Sequence, residues 1–358
     1  MKKKNFLSPI KEIIKDAKRG KLFLLVDNKD RENEGDLVVP ASKCNYKKIN
    51  FMATHGRGLI CLALTNKKVK KLGLPLMSPT NNSRMQTAFT VSIESRRGVT
   101  TGISAFDRAK TIKTAINEES KKKDLVSPGH VFPLVSRIGG VLERAGHTEA
   151  SVDISKLANL NPSAVICEVM NQDGRMARLN DLIKFSKKHR VKIGSISDLI
   201  AYRIKNEKLI NNTSSRIISM GKHSNLIYKT FTNKLDNSKS FVLKKGNFNS
   251  RSAIPVRVIS IKMKKNFLYG NKEIIRNLNF LNKFKNYALI LIEDKKSKKE
   301  KILEQFSKNN ILRYYGYGAQ IIKYLGLKRI ILISRSFKRI IGLEGFGIKI
   351  IKQKIVNV

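Results

Sequence analysis

Residues 148–189 read TEASVDISKLA (148–158), NLNPS (159–163), AVICEVM (164–170), NQDGRMAR (171–178) and LNDLIKFSKKH (179–189), and this stretch decides the fold. The middle run is short, apolar and bounded by turn residues, the pattern of a buried strand; the flanking runs are helices. A strand buried between helices belongs to a layered α/β domain. The alternation extends toward the N-terminus. Ser8-Pro9 opens a helix that ends at Gly20. KLFLLV (21–26) is a buried strand, and an acidic segment (27–36) leads into Leu37-Val38-Val39. A helix over 45–54, strands over 58–64 (GLICLAL) and 88–93, and a helix over 107–116 follow. A helix around 196–203 closes the unit. Residues 1–203 thus form one α/β (α+β) domain of α/β/α layers. A polar, Asn- and Lys-rich stretch, 204–224, is expected as a linker. Residues 225–358 form a second α/β domain, with strands at 241–243, 254–261 and 288–292 and a helix over 272–284. No fixed-period repeat interrupts this division.

The 358 residues carry 72 Lys plus Arg against 27 Asp plus Glu, a formal net charge of +45. Such a balance is the usual footprint of nucleic-acid binding. Residues 1–203 hold 38 of the basic and 19 of the acidic side chains, so the excess is general and denser in the second half. No aromatic-basic RNA signature, zinc-finger spacing or tryptophan accompanies it. The expectation is nonspecific, salt-sensitive contact with nucleic acid at most; drift toward Lys, Asn and Ile accounts for the composition equally well. A 41% hydrophobic content fits folded domains, and no apolar run approaches the ~18 residues of a membrane span. Charged residues follow Met1 too soon for a signal peptide. Cys44, Cys61 and Cys167 form no framework of disulfides and fit a reducing cytoplasm.

Four segments carry candidate chemistry. Arg31-Glu32-Asn33-Glu34-Gly35-Asp36 places three carboxylates within five residues. It reads either as an acidic turn or as a site whose repulsion a divalent cation offsets; Mg2+ takes one or two carboxylates and keeps waters for a substrate. Glu143-Arg144-Ala145-Gly146-His147-Thr148 precedes a helix and reads as a cap, or as a phosphate cradle built from a helix N-terminus, Arg144 and a Thr hydroxyl. Ser127-Pro128-Gly129-His130 places a histidine beside an apolar strand, where it is a core residue or a proton carrier. Glu168, inside AVICEVM, is an outward edge residue or a buried acid with the raised pKa that acid/base work near neutrality needs.

In this order, RENEGD, THGRGLICLAL, FTVSIE, GVTTGISAFDR, SPGHVFPL, GGVLERAGHTEAS, ICEVMNQDGRMAR and ISDLIAYR resemble the 3,4-dihydroxy-2-butanone 4-phosphate synthases of riboflavin biosynthesis. The resemblance covers residues 8–203. It implies a lyase that converts ribulose 5-phosphate to 3,4-dihydroxy-2-butanone 4-phosphate and formate. It implies Glu32 and His147 as ligands of Mg2+, with Mn2+ as a substitute, and His130 and Glu168 as the catalytic pair. It further implies Arg31, Glu32, Asp36, Arg144, Ala145, Gly146, His147, Thr148 and Glu168 as substrate-binding positions, and a cytoplasmic homodimer with active sites near the subunit interface.

Residues 310–334 (NILRYYGYGAQIIKYLGLKRIILIS) and 339–351 (RIIGLEGFGIKII) resemble the C-terminal part of GTP cyclohydrolase II. That family binds zinc through a cysteine trio and GTP through a Gln-Glu-Gly-Arg type segment. Here 261–270 read IKMKKNFLYG, 293–300 read EDKKSKKE, and 205–358 contain no cysteine and one histidine, His223. A catalytic zinc needs about three protein ligands. The second domain is therefore expected to be degenerate, without zinc or GTP ring opening. The alternatives are a bifunctional enzyme, or a basic binding protein with a vestigial enzyme domain.

Overall fold

The computed structural model describes all residues except 1–5, 28–30, 79, 82–84, 86, 235–236, 249–251, 264–266, 294–316, 337–346 and 357–358. The chain divides into two compact units, Met1–Ile200 and Ala201–Val358. The first holds helices α1 (Ile10–Lys18), α2 (Tyr46–Phe51), α3 (Asn66–Lys71), α4 (Ala105–Ile116), α5 (His147–Leu157) and α6 (Leu179–His189), and α7 (Ile196–Asn206) begins in it. Its strands are β1 (Phe23–Val26), β2 (Gly35–Pro40), β3 (Cys61–Thr65), β4 (Ile93–Ser95), β5 (Leu125–Ser136), β6 (Ser163–Glu168) and β7 (Lys192–Ser195). They form one sheet in the order β4-β5-β3-β6-β2-β1-β7. β5/β3 and β1/β7 are parallel and the other neighbours antiparallel.

Every residue of β1 and β2 is buried, so the sheet is covered on both faces. On one face Leu24, Val26, Leu37, Val39, Leu62, Leu64, Val165 and Cys167 share a core with Ile49, Met52, Ile112 and Leu182 from helical segments. Each such side chain contributes about 1.5–3 kcal/mol on burial. On the other face α5 packs across β6, β2 and β3, with α1 beside it. The expected α/β/α layering is what forms. Helix α5 is unusual in being buried on every residue from His147 to Ser155. Its polar side chains are bonded inward: Ser151 Oγ donates to Thr148 O at 3.0 Å, Ser155 Oγ to Ser163 O at 3.0 Å, and Asp153 Oδ2 accepts from Val141 N at 2.8 Å.

Local departures from the sequence reading have physical causes. The helix expected over 45–54 is capped by Asn45 and stops at Phe51; the chain widens into a π turn, Met52–Gly56, ended by Arg57 at φ +69°. The strand expected over 88–93 makes only isolated bridges at Phe89 and Thr90, and the regular strand is Ile93–Ser95. At the first helix, Pro9 rather than Ser8 holds the N-cap position, without a side-chain cap.

The second unit contains β8 (Ile210–Met220), β9 (His223–Asn233), β10 (Lys239–Lys245), β11 (Ile254–Ile261), α8 (Lys272–Leu281), β12 (Tyr287–Glu293), helical residues 317–324, β13 (Arg329–Ser334) and β14 (Lys349–Ile355). The sheet order is β14-β13-β11-β12-β10-β9-β8, parallel from β14 to β12 and antiparallel beyond. Phe241, Leu243, Leu289 and Leu291 meet Ile274, Leu278 and Leu281 of α8 in its core. The expected linker, 204–224, is a correction: it is occupied by the end of α7 and by β8. As an outer strand, β8 exposes most of its polar residues, so its sequence lacks the apolar run that marks an interior strand. Most of the 293–300 segment and parts of the two cyclohydrolase-like stretches, 310–334 and 339–351, lie outside the described residues. Among the described residues, no helix is long and apolar enough to cross a membrane.

Candidate active site

Strand register assembles the site at one end of the first sheet. Asp36 on β2 is directly opposite Glu168 on β6, and Leu25 of β1 is opposite Asp36. Since side chains alternate, Asp36 and Glu168 share the face of Val38 and Ile166, opposite the Leu37/Cys167 core. That is the face on which α5 packs, and the α5 N-terminus delivers His147 there. His147 Nδ1 lies 3.8 Å from Asp36 Oδ1. Its Nε2 is buried and has no hydrogen-bond partner. Burial holds the imidazole pKa down at about 4, and the charges of Asp27, Arg31 and Arg144 also act on it. A neutral imidazole with a free, buried nitrogen suits a metal ligand.

Asp27, at the end of β1, organises the acidic segment. Its side chain is almost wholly buried and accepts from Arg31 Nη1 at 2.8 Å, from Glu32 N at 3.1 Å and from Glu34 N at 2.9 Å. Arg31 also pairs with Glu32. Asp27, Glu32 and His147 offer donor atoms that all lie within 4.8 Å of one another. These three fit a divalent cation: two carboxylates suit Mg2+, and the His147 imidazole offers a third donor.

The neighbouring acids are strained toward the neutral form. Burial, then the charges of Glu168 and Glu32, push Asp36 well above the usual carboxylate range. Burial raises Glu168, whose Oε2 accepts from Leu59 N at 2.9 Å. Burial and the Glu32 charge raise Glu34. Arg144 is fixed before the helix: it donates to Glu149 Oε2 at 2.7 Å, Met85 O at 3.0 Å and Thr87 Oγ1 at 3.0 Å. Gly146 permits this clasp, because a Cβ there would sit 2.3 Å from Arg144 Nη1. Ala145 continues the loop, and Thr148 is buried in the first turn of α5.

The structure therefore gathers Arg31, Glu32, Asp36, Arg144, Ala145, Gly146, His147, Thr148 and Glu168 at one end of the sheet. His130 sits apart, on β5, with β3 between it and the Glu168 strand. Its Nδ1 is 2.8 Å from Glu94 Oε2. Sequence reasoning missed Asp27 and Glu94 as site residues. Asp27 carried a signal, as the first charge after a buried strand; Glu94 closes the FTVSIE motif, but its pairing with His130 is made across strands and is not readable from either motif alone. His223 of the second unit is buried, with Nε2 2.9 Å from Asn279 Oδ1.

Comparisons with known proteins agree with this architecture. The 3,4-dihydroxy-2-butanone 4-phosphate synthase profile matches residues 11–202, and the GTP cyclohydrolase II profile matches 218–355. The chain is 40% identical to the riboflavin biosynthesis protein RibBA of Aquifex aeolicus, over 98% of this chain and 92% of the relative. It is 39% identical to a 3,4-dihydroxy-2-butanone 4-phosphate synthase of Photobacterium phosphoreum, over 97% and 98%. The crystal structure of RibBX, a two-domain synthase from A. baumannii, superposes with a TM-score of 0.81 at 35% identity, covering 98% of this chain and all of that one. A synthase structure in complex with two magnesium ions matches with a TM-score of 0.53 at 35% identity, over 56% of this chain and 98% of that one. From its first unit, with a GTP cyclohydrolase II-like unit behind it, the chain belongs to the 3,4-dihydroxy-2-butanone 4-phosphate synthase family of riboflavin biosynthesis.

Proposed function

We propose that the first unit converts D-ribulose 5-phosphate to 3,4-dihydroxy-2-butanone 4-phosphate and formate, and that the second unit does not open GTP. The observation that carries the first reading is the Asp27–Glu32–His147 cluster beside the buried Asp36 and the half-buried Glu168 paired with it across the strands. Glu32 and His147 would hold Mg2+, or Mn2+ in its place, with Asp27 alongside. When bound, the cation would polarise sugar oxygens as a Lewis acid. The remaining work belongs to the chain. The reaction begins with removal of a proton next to a ketone, and dehydration, rearrangement and formate loss each move further protons. The two products together contain the atoms of the substrate, so no oxidant enters. Glu168, raised by burial, is suited to take and return protons. His130, apart on β5, is the second proton-transfer group of this reading. Arg144 and Thr148, at the start of α5, are suited to the phosphate, and Arg31 and Asp36 to the sugar hydroxyls.

For the second unit the supporting observation is an inventory. Residues 205–358 have no cysteine, and their one histidine, His223, is bonded to Asn279. The unit then serves structure, dimerisation or partner contact. RibBA-named relatives keep a bifunctional reading in play, and a GTP assay decides between them. The working form is a cytoplasmic homodimer, with nucleic acid as a nonspecific partner only. The test is formate release from ribulose 5-phosphate. EDTA should abolish it and added Mg2+ restore it; full activity after exhaustive chelation overturns the metal assignment.

A further inference from the structure

We infer that Glu94 is a positioning residue that locks His130 in the Nδ1–H tautomer and leaves Nε2 to exchange the proton. This rests on the reading of His130 as a proton-transfer group.

Three donors converge on the Glu94 carboxylate. Oε2 takes the His130 backbone N–H at 3.2 Å and lies 2.8 Å from His130 Nδ1. Oε1 takes the Thr111 hydroxyl, from α4, at 2.7 Å. A carboxylate in this setting is an acceptor on every side, so Nδ1 must carry the proton and donate. The lone pair then falls on Nε2. The imidazole is 43% exposed while the Glu94 side chain is only 10% exposed, so the ring has an open side and the carboxylate does not. Backing bonds to both the ring and the backbone of His130 fix its orientation as well as its tautomer.

The surroundings reinforce the pair. Gly102 has φ +88°, and a Cβ there would fall 2.0 Å from Glu94 Oε2 and 2.7 Å from His130 Nδ1. The 98–102 loop thus closes directly over the hydrogen bond. The loop is itself held by Asp107, which accepts from Thr100 N at 3.1 Å and Gly102 N at 3.1 Å. The Glu94 charge in turn acts on Arg108 of α4. A His–carboxylate pair of this geometry orients the base and stabilises the imidazolium once the proton arrives.

The test uses the full-length protein with 15N-labelled histidine, the His130 resonances being assigned by their loss in His130→Gln. The wild type should show Nδ1 protonated and Nε2 unprotonated. Glu94→Gln should perturb that tautomer. It should also lower kcat by about 10²-fold with KM little changed, between the 10–100-fold typical of orienting partners and the ~10⁴-fold of an inverted tautomer. Glu94→Asp should recover part of both. If Glu94→Gln does not fold, Thr111→Val removes only the hydroxyl that braces the carboxylate, and the same two readouts apply to it. An Nε2–H tautomer in the wild type overturns the inference, as does an unchanged tautomer and kcat in folded variants. The tautomer readout needs no turnover. A wild type that releases no formate therefore rejects the activity separately from the Glu94–His130 pair.

Discussion

Asp27→Asn is a change of one atom that should dismantle the acidic segment. Both carboxylate oxygens of Asp27 are occupied as acceptors: Oδ1 by Glu34 N, Oδ2 by Arg31 Nη1 and Glu32 N. An asparagine can keep one oxygen. If it faces Glu34 N, its NH2 points at two other donors; if it faces Arg31 and Glu32 N, the NH2 points at Glu34 N. Either way at least one bond becomes a donor–donor contact, and Arg31 loses a charge partner. With bonds to a buried charged group worth about 1.5–3 kcal/mol each, and some relaxation of the loop, we expect a loss of about 2–4 kcal/mol. For a unit of this size that is a fall of roughly 5–10 °C in Tm. Glu32 depends on the same bonds for its place, so Mg2+ affinity should weaken by about 10–100-fold. Thermal unfolding and a calorimetric Mg2+ titration measure the two effects. A variant with unchanged Tm and unchanged Mg2+ affinity would refute the view that Asp27 holds the metal segment in place.

The other expectations are as follows. His130→Ala and Glu168→Ala should each remove about 10²–10⁴-fold of turnover with circular dichroism unchanged; a folded variant with full rate loses its assigned role. The pKa of His147 is lowered from 6.5 to about 4 in the folded chain. Its neutral form therefore contributes stability that is complete above pH 6.5 and is lost as pH falls toward 4. Metal-free protein should lose stability across that window more steeply than His147→Gln, as measured by urea midpoints against pH; parallel profiles would contradict this. The purified chain should contain no stoichiometric zinc and release no formate from GTP. Zinc near one per chain together with GTP-dependent formate would show the second unit to be active.

The legible parts of the fold were those where burial is two-sided. β1, β3 and β6 read as apolar runs because helices cover both faces of the sheet. β8 was read as a linker because an edge strand can be polar and still pair. The π turn at 52–56 has no signature in the local periodicity, which reads as continuous helix. In the site, Asp36 and Glu168 face each other across β2 and β6 beside His147, whereas His130 sits apart on β5. Asp27 and Glu94 were missed for different reasons. Asp27 acts by organising its own segment, and an acidic residue at a strand end is common. Glu94 acts across β4 and β5, whose register shifts between Ile93 and Glu94, so strand alternation alone does not give its partner.

The buried helix α5 changes what a ligand has to do on arrival. Loops that meet substrates are usually mobile, and ordering them subtracts from affinity. The 137–146 loop is different: Glu149 Oε1 takes Arg137 N at 3.1 Å, Glu149 Oε2 takes Arg144, and Asp153 takes Val141 N. Both carboxylates stand on a helix enclosed by the core, so the loop inherits the rigidity of the interior. An anion that meets Arg144 finds its guanidinium already aimed, and little conformational entropy remains to be lost on that side of the site. The opposite wall, from Arg31 to Asp36, is fastened twice: by the Asp27 carboxylate, and by Arg178, whose Nη1 donates to Glu32 O at 2.7 Å and to Asn33 O at 2.8 Å. One wall of the site is thus fixed with the core, and the other is tied to it by hydrogen bonds to the backbone of the acidic segment.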